Sequence, residues 1–225
     1  MFIGHYAVGF AAKRFAPKTN LGWLIAAPLL LDLIWAPFVL TGIERVRIEP
    51  GNTAFTPLAF DYYPYSHSLL TAVGWSVIFA LVYYAFSRYK TGAIVIGIGV
   101  LSHWIMDAVV HRPDLPPYPG CEDFVGFGLW NSIVATIVVE GILFLAGVFI
   151  YRKTTAAKDK IGGIGFWAFV AVLILIYAGN ILSPPPPSVT VIAWVALAVV
   201  IFPIAAGWID SHRETAADKA QDARL

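Results

Sequence analysis

At 225 residues, 59% hydrophobic and only 13% charged, with a mean hydropathy of +0.74, the chain is far more apolar than a soluble domain, which carries about 25% charged residues. A formal net charge of +1, with the basic residues in small groups beside apolar runs, excludes the continuous basic face of a nucleic-acid binder. The single cysteine, Cys121, excludes an internal disulfide and a cysteine-rich metal site, so any bound metal must rest on His and carboxylates.

In chain order, the opening stretch Phe2 to Phe15 has no basic segment ahead of its apolar residues, and is expected to remain in the mature protein. As a helix it would reach only about 21 Å, which predicts a re-entrant or interfacial helix rather than a full span. Runs long enough to cross roughly 30 Å of hydrocarbon follow at Leu21 to Gly42, Ser68 to Ser87, Gly92 to Val110, Gly126 to Tyr151, Ile164 to Leu182 and Val189 to Ile209. The predicted fold is an all-α polytopic membrane bundle of about six spans, one domain over residues 1–210. A polar tail, 211–225, is expected to be solvated or disordered.

Basic residues gather before the first span (Lys13, Arg14, Lys18), between the second and third (Arg88, Lys90) and between the fourth and fifth (Arg152, Lys153, Lys158, Lys160). The positive-inside rule makes these connections cytoplasmic, with both ends of the six-span core on that side and a bacterial cytoplasmic membrane as the expected setting. Ile43 to His67, His111 to Val125 and the Pro184 to Pro187 run then lie outside.

Ionisable groups within spans are costly, and each is a functional candidate that needs a partner. Asp32 lies near the middle of the first span, bracketed by Pro28 and Pro37. In GVLSHWIMDAVVHRPDLP, His103, Asp107 and His111 are spaced by four, along one stripe of a helix climbing toward the outer interface. His67, in YYPYSHSLL, opens the second span at the same level, His5 belongs to the short opening helix, and Glu140 lies at or below the midplane of the fourth span. An isolated intramembrane His is as well explained by structural hydrogen bonding as by function; several His and Asp converging on one level favour a metal or catalytic site. Imidazoles and carboxylates without thiolates suit a divalent ion such as Zn²⁺, with Mn²⁺ a second choice. His111 or Asp61 is the candidate base, Asp61 and Tyr65 are candidates to orient His67, and Arg112 is a candidate to hold a phosphate or, equally, an interfacial side chain reaching headgroups. Asp114 reads as a turn residue.

These stretches resemble the predicted membrane-bound, metal-dependent hydrolases of bacterial inner membranes. The resemblance rests on His5, on PLLLD ending at Asp32, on YSHSLL around His67 and on GVLSHWIMD with His103 and Asp107, and covers roughly the first 130 residues. It implies metal coordination by His5, Asp32, His67, His103 and Asp107. The HxxxD helix also bears a distant likeness to zinc-dependent phospholipases C. Leu30 stands where related sequences carry a second acid, which tells against a two-metal site. The expectation is a hydrolase acting on a lipid-linked phosphoester or similar amphiphile at the outer half of the membrane, with a membrane lipid rather than nucleic acid as partner. The rival from another class is a proton- or cation-coupled transporter or channel using Asp32, His103, Asp107 and Glu140.

Overall fold

The computed structural model describes residues 1–215. Its helices are α1 (Ile3–Ala12), α2 (Leu21–Leu40), the single turn α3 (Pro64–His67), α4 (Leu69–Ser87), α5 (Lys90–Val110), α6 (Ile133–Thr154), α7 (Phe166–Leu182), α8 (Val189–Ala198) and α9 (Ile201–Ser211). Two small antiparallel sheets stand at opposite ends of the bundle, β1 (Arg45–Ile48) with β2 (Leu58–Tyr62), and β3 (Thr155–Ala157) with β4 (Arg213–Thr215). Six helical segments are long and apolar enough to cross a membrane: α2, α4, α5, α6, α7 with the π-helical turn Ile161–Gly165 before it, and α8 with α9. The chain is a multi-pass membrane helix bundle. Its outward faces are apolar, as at Leu70, Leu81, Phe86, Ile98, Leu145 and Leu175, and the polar side chains described below are buried inside.

Local sequence explains the helix limits. Ser68, Ser132 and Ser188 cap α4, α6 and α8, each side chain accepting the N–H three residues on. The fourth span accordingly begins at Ile133 and not at Gly126. Gly128 adopts φ +72°, and a 3₁₀ turn at Leu129–Asn131 precedes the serine cap, so Asn131 lies before the helix. The last span is interrupted at Val199 and Val200, where Pro203 cannot donate to the Val199 carbonyl and tighter i→i−3 bonds take over.

α1 is buried within the bundle rather than lying at its surface, packed against α6, α2 and α5. Gly147 of α6 makes this possible, because a Cβ there would collide with the backbone of Ala7. Phe10 packs edge-on against Phe144, Phe166 and Phe169, so α1 carries the centre of the apolar core. Both ends of α1 are held by charge. At its start, Glu140 Oε2 accepts the N–H groups of Phe2 (2.9 Å) and Gly4 (3.2 Å), the anion placement that an unpaired helix N-terminus favours. At the other end Lys13 Nζ donates to Asp210 Oδ2 (2.6 Å) and to the Thr19 carbonyl (2.9 Å). Asp210 also accepts from Leu21 N (3.0 Å) and Tyr151 Oη (2.6 Å).

One expectation changes here. Lys13 is a buried structural cation, and the tail expected to be solvated from residue 211 opens with ordered structure, Ser211 ending α9. Asp210 is buried and Arg213–Thr215 pairs as a strand, while 216–225 lie outside the described residues. Asp210→Ala leaves Lys13 buried without its carboxylate, which is expected to cost about 3–5 kcal/mol. Thermal unfolding in detergent should show the loss, and a Lys13→Met/Asp210→Leu pair should restore most of it. An unchanged midpoint in Asp210→Ala would refute this assignment.

Candidate metal centre

The structure brings His5, Asp32, His67, His103 and Asp107 to one place, from α1, α2, α3 and α5. His5, His103 and Asp107 form one compact group, and Asp32, His67 and His103 a second that shares His103. His67 ends α3 rather than opening the next span, and the proline at the start of α3 with the Ser68 cap behind it sets its direction. α5 approaches α2 closely at Gly99, where an added Cβ would touch the Ala27 side chain. One turn on, His103 Nδ1 reaches the Pro28 carbonyl at 2.6 Å.

The hydrogen-bond partners of the two central imidazoles assign their protons. A carbonyl oxygen only accepts, so His103 Nδ1 carries the hydrogen, and in the neutral imidazole Nε2 presents a lone pair. Glu44 accepts from the backbone N–H groups of Tyr65 and Ser66 (2.8 Å each) and from Ser66 Oγ (2.5 Å). With its proton given to Glu44, Ser66 Oγ accepts from His67 Nδ1 at 2.7 Å, which leaves His67 Nε2 bare as well. The two Nε2 atoms stand 3.1 Å apart. Asp32 Oδ1 is 3.5 Å from His67 Nε2 and 3.8 Å from His103 Nε2, and Asp107 Oδ2 is 3.0 Å from His103 Nε2 and 3.9 Å from His67 Nε2. In the neutral tautomers His67 Nε2, His103 Nε2 and Asp32 Oδ1 therefore cluster with no hydrogen between them, and Asp107 Oδ2 adjoins the cluster beside His103, which calls for positive charge there.

A tetrahedral zinc ion with bonds of 2.0–2.1 Å separates its ligand atoms by about 3.3 Å, within the 3.1–3.8 Å spread of the three pairs among His67 Nε2, His103 Nε2 and Asp32 Oδ1. The residues fit the metal that their types suggest. His5 stacks its ring on that of His103, with centroids 3.9 Å apart and planes within 5°, and places Nε2 3.2 Å from Asp107 Oδ1. The Met1 amino group lies 2.6 Å from the same oxygen. His5 Nδ1 is buried with no hydrogen-bond partner among the described residues. Asp32 is the accessible member, its side chain 40% exposed while the others are buried. Between α2 and α4 an apolar groove of about 530 Å³ is lined by Phe38, Ile43, Tyr65, Trp75 and Ile78.

His111 caps α5 with extended backbone, off the helical stripe, yet its Nε2 still lies 3.9 Å from Asp107 Oδ2. Its Nδ1 faces Asp114 Oδ1 at 2.9 Å, and Tyr63 Oη donates to the same oxygen at 3.0 Å. Burial, reinforced by the Asp114 charge, holds the Tyr63 phenol well above its ordinary range, so it remains a donor. Asp114 is thus the orienting carboxylate of a His–Asp pair and not a simple turn residue. Arg112 is also held by Asp114, at 3.2 Å, and is half-exposed at the rim rather than in the cluster.

Asp61 is not brought to the cluster. Arg47 grips its carboxylate with two hydrogen bonds (2.6 and 3.0 Å) across the exposed β1–β2 hairpin. The role expected of it, orienting His67, belongs to Glu44 through Ser66. Tyr65 contributes its backbone N–H to Glu44 rather than its side chain to His67. The sequence carries little signal for Glu44 and Ser66: an acid preceding Arg45 and Arg47 reads as simple charge matching. Glu140 serves α1, and its Oε1 is buried without a partner among the described residues.

Outer-shell hydrogen bonds of this kind typically alter metal affinity by 10–100-fold. Ser66→Ala and Glu44→Gln are accordingly expected to weaken zinc binding by that factor in competition titrations with a chromogenic chelator, with helicity unchanged. Wild-type affinity in both would show that the relay does not set the His67 tautomer. No family model matches the chain, and neither do any curated protein or solved structure.

Proposed function

We propose that this protein is a metal-dependent hydrolase of the bacterial cytoplasmic membrane, cleaving a phosphoester on a lipid or lipid-linked amphiphile. The observation that carries the reading is the clustering of His67 Nε2, His103 Nε2 and Asp32 Oδ1 at 3.1–3.8 Å from one another, with Asp107 Oδ2 3.0 Å from His103 Nε2 and the outer ring nitrogens bonded elsewhere. His5 supports the group through His103 and Asp107. Zinc is the preferred ion and manganese the second choice. When bound, such an ion supplies Lewis acidity that stabilises charge developing on a phosphoryl oxygen.

The chain's own residues supply the rest. His111, oriented by Asp114, is the proton carrier: Nε2 takes a proton from the attacking water as the new P–O bond forms. The same imidazole then returns a proton to the leaving alkoxide as the ester bond breaks. Phe60 and Trp130 pack against its ring, at 4.8 and 4.4 Å between centroids, and keep bulk water from that side. Arg112 at the rim suits an approaching phosphate. An amphiphilic substrate is favoured by the apolar groove between α2 and α4, which reaches Tyr65, two residues before His67, and offers room for an alkyl chain. The resemblance to predicted membrane-bound hydrolases points the same way.

The transport reading has one specific support, the 3.1 Å contact between His67 and His103, which a shared proton would also satisfy. It needs Glu140 as the next acid along the path, but Glu140 Oε2 is engaged by the start of α1. The test is release of phosphate from a panel of lipid phosphoesters in mixed micelles. His111→Ala is expected to lower kcat by about 10²–10⁴-fold with metal content retained, and Glu140→Gln to keep both activity and metal within a few-fold. Unimpaired hydrolysis in His111→Ala would overturn the assigned base. Loss of function in Glu140→Gln with metal intact would favour transport.

A further inference from the structure

A second polar site lies at the opposite end of the bundle from the His–Asp cluster. The end of α6, β3, the π-helical turn 161–165 and β4 enclose a pocket of about 510 Å³. Arg152, Lys160 and Arg213 line it, and no carboxylate among the described residues does. Arg213 is fixed and buried: Nε donates to Thr155 Oγ1 (2.8 Å), Nη2 to the Thr155 carbonyl (3.1 Å) and Nη1 to the Gly162 carbonyl. Its guanidinium lies over the rings of Tyr151 (5.3 Å) and Phe166 (5.0 Å). Gly162 allows β4 this close, since a Cβ there would collide with the His212 carbonyl.

Among the described residues the buried charges here do not balance. Lys13 and Arg213 are both buried, and the one buried carboxylate described near them, Asp210, is already bound by Lys13, Leu21 N and Tyr151. Asp159, next to Lys160 in sequence, is taken by His212 Nδ1 (2.6 Å) and Gly162 N (3.0 Å). Arg152 and Lys160 are in no ion pair among the described residues. Burial lowers the Arg213 guanidinium's proton affinity, and the Arg152 charge adds to that effect. An anion in the pocket would relieve both. Phe166, Trp167 and Ile164 give it an apolar wall, and Trp167, 51% exposed, and Ile164 point away from the core where the chain enters the membrane-spanning part of the fold. A tryptophan there is placed as in an interfacial belt, at headgroup depth.

We infer that this pocket binds the phosphate headgroup of an anionic membrane lipid, with Arg152, Lys160 and Arg213 on the phosphate and Trp167 and Ile164 against the glycerol and upper acyl chain. A basic pocket beside membrane helices at headgroup level is suited to this chemistry. The site is independent of the His–Asp cluster and of its activity.

The test is native mass spectrometry of the detergent-solubilised full chain with phosphatidylglycerol or phosphatidylcholine at equal mole fraction, and with inorganic phosphate added as competitor. Phosphatidylglycerol should be retained at least about tenfold better than phosphatidylcholine. The Arg152→Gln/Lys160→Gln variant should lose that preference, and Lys153→Gln, whose ammonium rests over Phe149 outside the pocket, should keep it. Both changed positions are exposed, so the fold should survive, checked by an unchanged unfolding midpoint. Equal retention of the two lipids, or an undiminished preference in the double variant, would overturn the site. Displacement of the lipid by millimolar phosphate would overturn the lipid assignment in favour of a soluble phosphate.

Discussion

Two imidazoles whose Nε2 atoms stand 3.1 Å apart, between two carboxylates, constrain everything around them. Such a set is repulsive unless positive charge fills its centre, and within a membrane protein neither water nor counter-ions can screen the repulsion cheaply. The surrounding fold meets the constraint by fixing hydrogens on the far side of each ring. Pro28 supplies a carbonyl for His103, and Glu44, itself saturated by donors, makes Ser66 an acceptor for His67. These bonds orient the donors before any cation arrives, the arrangement that gives a metal site its geometry at low cost on binding.

The same logic orders the helices. α1 is too short to span, and it is useful because it is short: one end delivers His5 to the cluster while the other is locked by Lys13 to Asp210. Glu140 and Gly147 on α6 serve that placement, one by satisfying the helix start and the other by letting the two backbones touch. The bundle's polar interior is therefore a few linked networks, each charge tied to at least one named partner, with lipid-facing surfaces left apolar.

The spans were legible because hydropathy over 20 residues is a strong, local signal, and the observed limits differ chiefly where a serine cap or a proline intervenes, as at Ser132 and Pro203. The spacing of His103 and Asp107 on one helix was equally local. What escaped were pairings between distant positions: Lys13 with Asp210, 197 residues apart, and the Glu44–Ser66–His67 relay, in which a loop acid reads as a partner for neighbouring arginines. Asp61 erred in the opposite sense. Its nearness to His67 in sequence suggested contact, whereas strand pairing turned it toward Arg47. Pro28 carried a message about backbone, a carbonyl rather than a side chain, which composition and spacing do not express.

The most direct test of the central claim is elemental analysis of tag-free protein purified without chelators, beside His103→Ala and Asp107→Ala prepared in parallel. The account predicts near-stoichiometric zinc or manganese in the wild type and its loss in both variants, with all three inserted in the membrane. A wild type free of bound metal, or metal retained when His103 and Asp107 are each removed, would contradict it.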